Sequence, residues 1–242
     1  LCGQEGGCCR GVGEGPTPDM GGLFAKCGLG AKAGRDKEAC TEEVAEAEAK
    51  KLAPIGDPGA KPKEKEGNIA DSLDGPPVVL VETNMGNFKV QLTPDKTPVT
   101  VENFLKYVED GFYSGTIFHR VVPGFVIQGG GFSEDLAQRP VREPIINEAA
   151  TAIPNDRGTI CMARTPARNS ATSQFYVNLK NNTMLNYRGE TPSGWGYCAF
   201  GTVTEGLDVV DAIASVYTGA GGHFKKDVPL DPIIIKKISL VK

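Results

Sequence analysis

Residues 77–94, PVVLVETNMGNFKVQLTP, alternate apolar and polar positions on both sides of Asn84-Met85-Gly86-Asn87. That alternation predicts a β-hairpin with strands at 77–83 and 87–93, because side chains on a strand point to opposite faces in turn. In TPVTVENFLKYVEDGFY the period changes: Val101, Phe104, Leu105 and Val108 fall on one face of a helix predicted over 98–110, with Glu102 and Asp110 outward. Short strands are expected at 117–121, 125–129, 159–163, 174–179, 197–203 and 233–241. A second helix is expected over 205–216, with Leu207, Val210 and Ile213 on its buried face. Eight short strands and two isolated helices predict a mainly β domain, an antiparallel closed barrel with its ends covered by the helices.

The pattern is absent from the first 76 residues. LCGQEGGCCRGVGEGPTPDMGG has no period of 2 or 3.6 and reads as loop. Only 39–52, rich in Ala, Glu and Lys with Thr41 placed to cap, predicts a short helix. The Pro, Gly, Lys and Glu that follow are a linker composition. The boundary is therefore placed at 76, with an N-terminal extension over 1–76 and a folded domain over 77–242. The extension holds 15 of the 31 glycines, one of the 17 aromatic residues, and 10 Lys/Arg against 14 Asp/Glu. Residues 77–242 carry 16 of each sign, so the net charge of −4 belongs to the extension. A balanced domain gives no reason to expect nucleic acid. No apolar run approaches the roughly 20 residues of a membrane-spanning helix.

Five of the seven cysteines, Cys2, Cys8, Cys9, Cys27 and Cys40, lie in the extension. Two readings stay open: a disulfide-stapled or metal-bound miniature fold in an oxidising compartment, or an unpaired flexible leader. The odd count, the lack of a C-x-x-C pair and the distance to His119 and His223 speak against zinc. The chain starts at Leu1, as a processed product or a fragment does. With the clustered cysteines, this leans towards an organelle (plastid or mitochondrion) or an exported compartment, the cytoplasm being the alternative.

Constellations that need a nucleophile, a phosphate loop or a metal are missing: there is no G-x-S-x-G, no P-loop and no H-E-x-x-H. Gly129-Gly130-Gly131 is followed by neither lysine nor helix. His119 sits in an apolar run and reads as a satisfied core residue. Cys161 and Cys198 read as reduced core residues rather than a redox pair.

Five blocks remain: FHRVVPGFVIQGGGF (118–132), GTICMARTP (158–166), SATSQFYVNL (170–179), GWGYCAFGTV (194–203) and EGLDVVDAI (205–213). In order and spacing they resemble the cyclophilins, a family of peptidyl-prolyl cis-trans isomerases, over residues 77–242 and in the compact bacterial form. The resemblance implies an eight-stranded antiparallel barrel capped by two helices, with an active site on its outer face and no cofactor or metal. It implies catalytic roles for Arg120, Phe125 and Gln128. Around them it places a substrate groove of Val126, Ala163, Arg164, Thr165, Gln174, Tyr176, Met184, Leu185 and Tyr197. Proline-containing peptides or proteins are the expected partners, and assistance to folding, a chaperone role, the expected use. A second reading is a scaffold or binding subunit docked to a larger assembly through residues 1–76.

The chain departs from the family pattern at several of these positions. Tyr176 stands where phenylalanine is usual, and Val126 where methionine is often found. Met184 and Tyr197 replace the tryptophan and histidine of enzymes that bind cyclosporin tightly, so weak cyclosporin binding is expected. Arg164-Thr165 replaces a small Asn-Ala pair, which alters or narrows the groove. Arg120 and Gln128 are eight residues apart, an even spacing that would put both on one face of a continuous strand; Phe125 breaks the parity, so Pro123-Gly124 is expected to bend the chain.

Overall fold

The computed structural model describes residues 75–241. The expected helix at 39–52, the linker and the five clustered cysteines lie outside the described residues. Strands β1 (Val78–Thr83) and β2 (Gly86–Leu92) form the predicted hairpin, in register from Val78↔Gln91 to Thr83↔Gly86. Their alternation sends Val79, Val81, Phe88, Val90 and Leu92 into the core. Helix α1 (Pro98–Glu109) buries Val101, Phe104, Leu105 and Val108, the face that the sequence periodicity selects. Its first turn is closed from outside, where the Glu148 carboxylate accepts from the Val99 and Thr100 amides at 3.2 and 2.8 Å.

The chain continues through β3 (Thr116–Ile117), β4 (Arg120–Val122), β5 (Val126–Gly129), β6 (Thr159–Met162), β7 (Phe175–Asn178) and β8 (Ala199–Glu205). Helix α2 (Leu207–Ala214) follows, then β9 (Thr218–Gly221), β10 (Phe224–Pro229) and β11 (Ile234–Val241). Nine strands form one antiparallel sheet in the order β3-β11-β1-β2-β8-β6-β7-β5-β4. Its two edges, β3 and β4, are separated in sequence by only Phe118 and His119, so the sheet must curl until its edges meet. One strand was expected over 117–121. Two are found because the chain leaves one edge at Ile117 and joins the other at Arg120.

The inward faces and both helices share one core, in which Phe104, Tyr113, Phe118, Phe175 and Phe200 make tilted and edge-to-face ring contacts at centroid distances of 5.2–6.0 Å. The three glycines after Gln128 have a steric cause. A Cβ on Gly130, whose φ is +80°, would meet Phe175 and Tyr113 at 2.8 and 2.9 Å, and one on Gly131 would meet the Gln174 side chain at 2.5 Å. Cys161 and Cys198 are free and buried, as expected. His119 is buried at 2% exposure, and its Nδ1 has no hydrogen-bond partner among the described residues.

Candidate functional site

Arg120 and Gln128 do share a face, by a route other than the one expected. They are directly paired residues of the antiparallel β4–β5 hairpin, Arg120↔Gln128, rather than two points on one continuous strand. Pro123 and Gly124 form the connecting turn, with the Phe125 amide donating to the Val122 carbonyl at 3.0 Å and Gly124 at φ +69°. Proline then glycine of positive φ at the two central positions is the arrangement of a type II turn. Phe125 is the last residue of that turn, so strand parity does not govern it. Its carbonyl is held by the Leu179 amide at 2.9 Å and Asn182 Nδ2 at 3.0 Å.

Outward residues of β5, β6, β7 and β8 form a second, smaller apolar cluster of Val126, Cys161, Tyr176 and Ala199, with Phe125, Ile153, Ala163, Leu185 and Tyr197 packed around it. A polar row borders it. Arg120 Nη1 donates to Gln128 Oε1 at 3.4 Å, and Gln128 Nε2 donates to Gln174 Oε1 at 3.0 Å. Arg120 Nε lies 3.9 Å from Asp227 Oδ2, and both side chains keep part of their surface in solvent. The result is an apolar floor beside a positioned guanidinium and two amides.

Nine expected residues thus come together: Arg120, Phe125, Val126, Gln128, Ala163, Gln174, Tyr176, Leu185 and Tyr197. Arg164 lies at the rim, its guanidinium 4.6 Å from the Tyr197 ring centroid and its Nε donating to the Gly196 carbonyl at 2.9 Å. Thr165 is occupied locally, its hydroxyl donating to Ser170 Oγ at 2.8 Å. Met184 is 64% exposed on the short 3-10 turn Thr183–Leu185 and does not join the apolar cluster.

Two contributors escaped the sequence reading. Asp227 stands at φ +66° in the β9–β10 hairpin, in a stretch too glycine-rich and charged to show alternation. Asn155 is 1% exposed and ties floor to wall. Its Oδ1 accepts from the Tyr176 hydroxyl at 2.9 Å and the Cys161 thiol at 3.2 Å, while its Nδ2 donates to the carbonyls of Leu185 and Tyr197 at 3.3 and 3.2 Å. A lone Asn in the loop IPND carries no pattern that marks it as such a hub.

Burial pushes the Tyr176 phenol well above its usual range and the Cys161 thiol up to about 12, so both stay protonated and donate to Asn155. Neither is available as a base or nucleophile at neutral pH. Among the described residues no three of His, Cys, Asp or Glu gather as a metal site, and no helix is long and apolar enough to cross a membrane. A positioned guanidinium and two amides beside an apolar floor are suited to binding and electrostatic stabilisation.

Residues 78–240 match the family model described as cyclophilin type peptidyl-prolyl cis-trans isomerase/CLD. The chain is 48% identical over 163 residues to peptidyl-prolyl cis-trans isomerase B of Escherichia coli (strain K12), covering 67% of this chain and 99% of that protein. It is 46% identical over 164 residues to peptidyl-prolyl cis-trans isomerase A of Dickeya dadantii (strain 3937), covering 68% and 84%. A crystal structure of a Cryptosporidium parvum cyclophilin type isomerase superposes with a TM-score of 0.57 at 27% identity, over 69% of this chain and 99% of that one. Sequence and fold agree: the chain belongs to the cyclophilin-type peptidyl-prolyl cis-trans isomerases.

Proposed function

We propose that this isomerase turns X-Pro bonds in the groove bounded by Arg120, Gln128 and the apolar cluster, with Arg120 as the catalytic group. The single observation that carries the reading is the direct pairing of Arg120 with Gln128 beside that floor. Rotation about a peptide bond is opposed by about 18–20 kcal/mol of partial double-bond character, and no bond has to break. As the X-Pro amide twists, the prolyl nitrogen lone pair leaves conjugation and becomes able to accept a hydrogen bond. A donor aimed there binds the twisted state better than either planar isomer. A guanidinium is always charged and offers a fork of donors, so one arm can reach the nitrogen while another holds a carbonyl. The Gln128 contact keeps the arms in position, and Asp227 supports the charge from behind.

Phe125, Val126, Ala163, Tyr176, Leu185 and Tyr197 supply an apolar seat for the pyrrolidine ring. Gln128 and Gln174, linked to each other, present amide groups to the client backbone. A crystal of the Cryptosporidium parvum protein was obtained in the presence of the dipeptide Ala-Pro, at a TM-score of 0.55 and 28% identity to this chain, which supports a proline dipeptide as the minimal ligand. Folding of proteins limited by proline isomerisation is the use that fits such an activity.

The test is an NMR exchange assay on an Ala-Pro peptide. Arg120→Ala should lower kcat/KM roughly 100- to 1,000-fold, the usual cost of losing one transition-state donor, while leaving the circular dichroism spectrum unchanged. Equal rates in the two proteins would remove Arg120 from the mechanism. Weak cyclosporin binding is proposed for a related reason: Met184 is exposed and its thioether supplies no N–H donor. Tight binding in a calorimetric titration would refute it.

A further inference from the structure

Beyond the groove, one end of its wall carries two guanidiniums laid on aromatic rings. Arg164 sits 4.6 Å from the centroid of Tyr197, and Tyr197 meets Tyr176 edge-on at 6.0 Å, so Arg164 is two rings away from the floor. Two residues before Tyr197, the Trp195 ring carries Arg168 at 3.3 Å, and Tyr187 packs against the same indole at 5.8 Å. Two other arginines are paired with carboxylates: Arg142 with Asp110, and Arg157 with Asp211 at 2.7 Å. Among the described residues, neither Arg164 nor Arg168 has a carboxylate within ion-pair distance. Glu190, on the neighbouring loop, pairs with neither.

Stacking fixes the plane of a guanidinium and so removes much of the rotamer freedom that a surface ion pair has to give up. Arg164 already spends donors on the carbonyls of Gly196 and Thr165, at 2.9 Å each, which locks it further. Arg168 is exposed and makes no side-chain hydrogen bond to any described residue, so its in-plane donors are open to solvent. Two preorganised cations without internal counter-charge, beside a groove that takes an extended chain, are built to receive a carboxylate from that chain.

We infer that Arg164 and Arg168 form a cationic rim that selects client segments carrying an Asp or Glu close to the proline. This rests on the groove as the client site and adds the chemical class of client to it. Isomerisation itself needs no charge on the substrate, so the rim sets preference rather than the chemical step.

The experiment uses the full chain and a series of peptides with a common Ala-Pro core, placing Glu, Gln or Lys in turn at each neighbouring position on either side. kcat/KM by NMR exchange should rank Glu above Gln above Lys at one or more positions, with roughly a threefold to tenfold span at low salt for two exposed cations. The span should narrow in Arg164→Gln and in Arg168→Gln, and collapse at about 0.5 M salt as screening shortens the reach of the charges. Equal values for the three peptides at every position, or a span that survives in both variants, would overturn the rim. Measured affinities from peptide titrations give the same ratios without turnover. A groove reading that fails by loss of all activity is thus separated from a rim that fails by loss of preference.

Discussion

Strands β5, β6 and β7 serve two apolar clusters at once, and the clusters are held together by different forces. Inward, Ile127, Ile160, Met162, Phe175 and Val177 join the main core, where packing and ring-on-ring contact are the means of fixation. Outward, Val126, Cys161 and Tyr176 alternate with them, and the Cys161 thiol and Tyr176 hydroxyl are fixed by hydrogen bonds to one buried amide, Asn155. Residues one step apart on the same strand therefore answer to different tests. Changes inside should be read in stability, and changes outside in the precision of the groove.

The largest effect expected from this contrast is inside. Phe175→Ala removes a fully buried ring that touches Phe104, Tyr113 and Phe118, and should cost about 3–5 kcal/mol in denaturant unfolding. The folded fraction should still turn over peptide at close to its usual rate. An activity loss without a stability loss would break the division between the two faces.

Next comes Asn155→Ala, which strands the Tyr176 hydroxyl and two backbone carbonyls together. About 1–3 kcal/mol of stability should go, with a rise in KM larger than the fall in kcat because floor and wall lose their common tie. Tyr176→Phe separates the contributions. It removes one bond, keeps the ring, and should cost under about 1.5 kcal/mol with KM little altered. A KM unchanged in Asn155→Ala would show that the floor is held by packing after all.

An effect seen only on acidification concerns His119, beside Arg120 and under the β9–β10 hairpin against Phe132 and Phe224. Burial first, then Arg120 and His223, lower its pKa from 6.5 to about 3. In that interval the unfolded chain binds a proton that the folded protein refuses, so stability is full above 6.5 and falls as pH drops towards 3. The slope from this one group is at most about 1.4 kcal/mol per pH unit. His119→Phe should flatten the unfolding profile between pH 6.5 and about 5, above the carboxylate range. An unchanged slope would mean that the ring takes up its proton in the folded state.

Much of this was legible in the sequence because it is local. The alternation through 78–92 and the helical spacing of Val101, Phe104 and Val108 reach the structure nearly unaltered. Most residues expected at the site gather on one face as well, since they lie in short blocks on neighbouring strands. What failed was non-local. The even spacing of Arg120 and Gln128 gave the right face for the wrong reason, because in a hairpin pairing depends on the turn and not on parity along one strand. The β9–β10 hairpin was missed because Gly219, Gly221 and Gly222 and the charged FKKD interrupt any period of two. With it went Asp227, whose contact with Arg120 spans over a hundred residues of sequence. Asn155 was invisible because only the fold brings Cys161, Tyr176, Leu185 and Tyr197 within its reach.

The meeting of β3 with β4 carries a consequence for a protein of a family that acts on proline-containing peptides. A sheet with a long open border offers a ladder of unpaired amides and carbonyls that a passing extended segment can extend, which is a route to aggregation. Here the border strands are two and three residues long and run into one another through Phe118 and His119. The main sheet therefore offers a passing extended chain no long border to join.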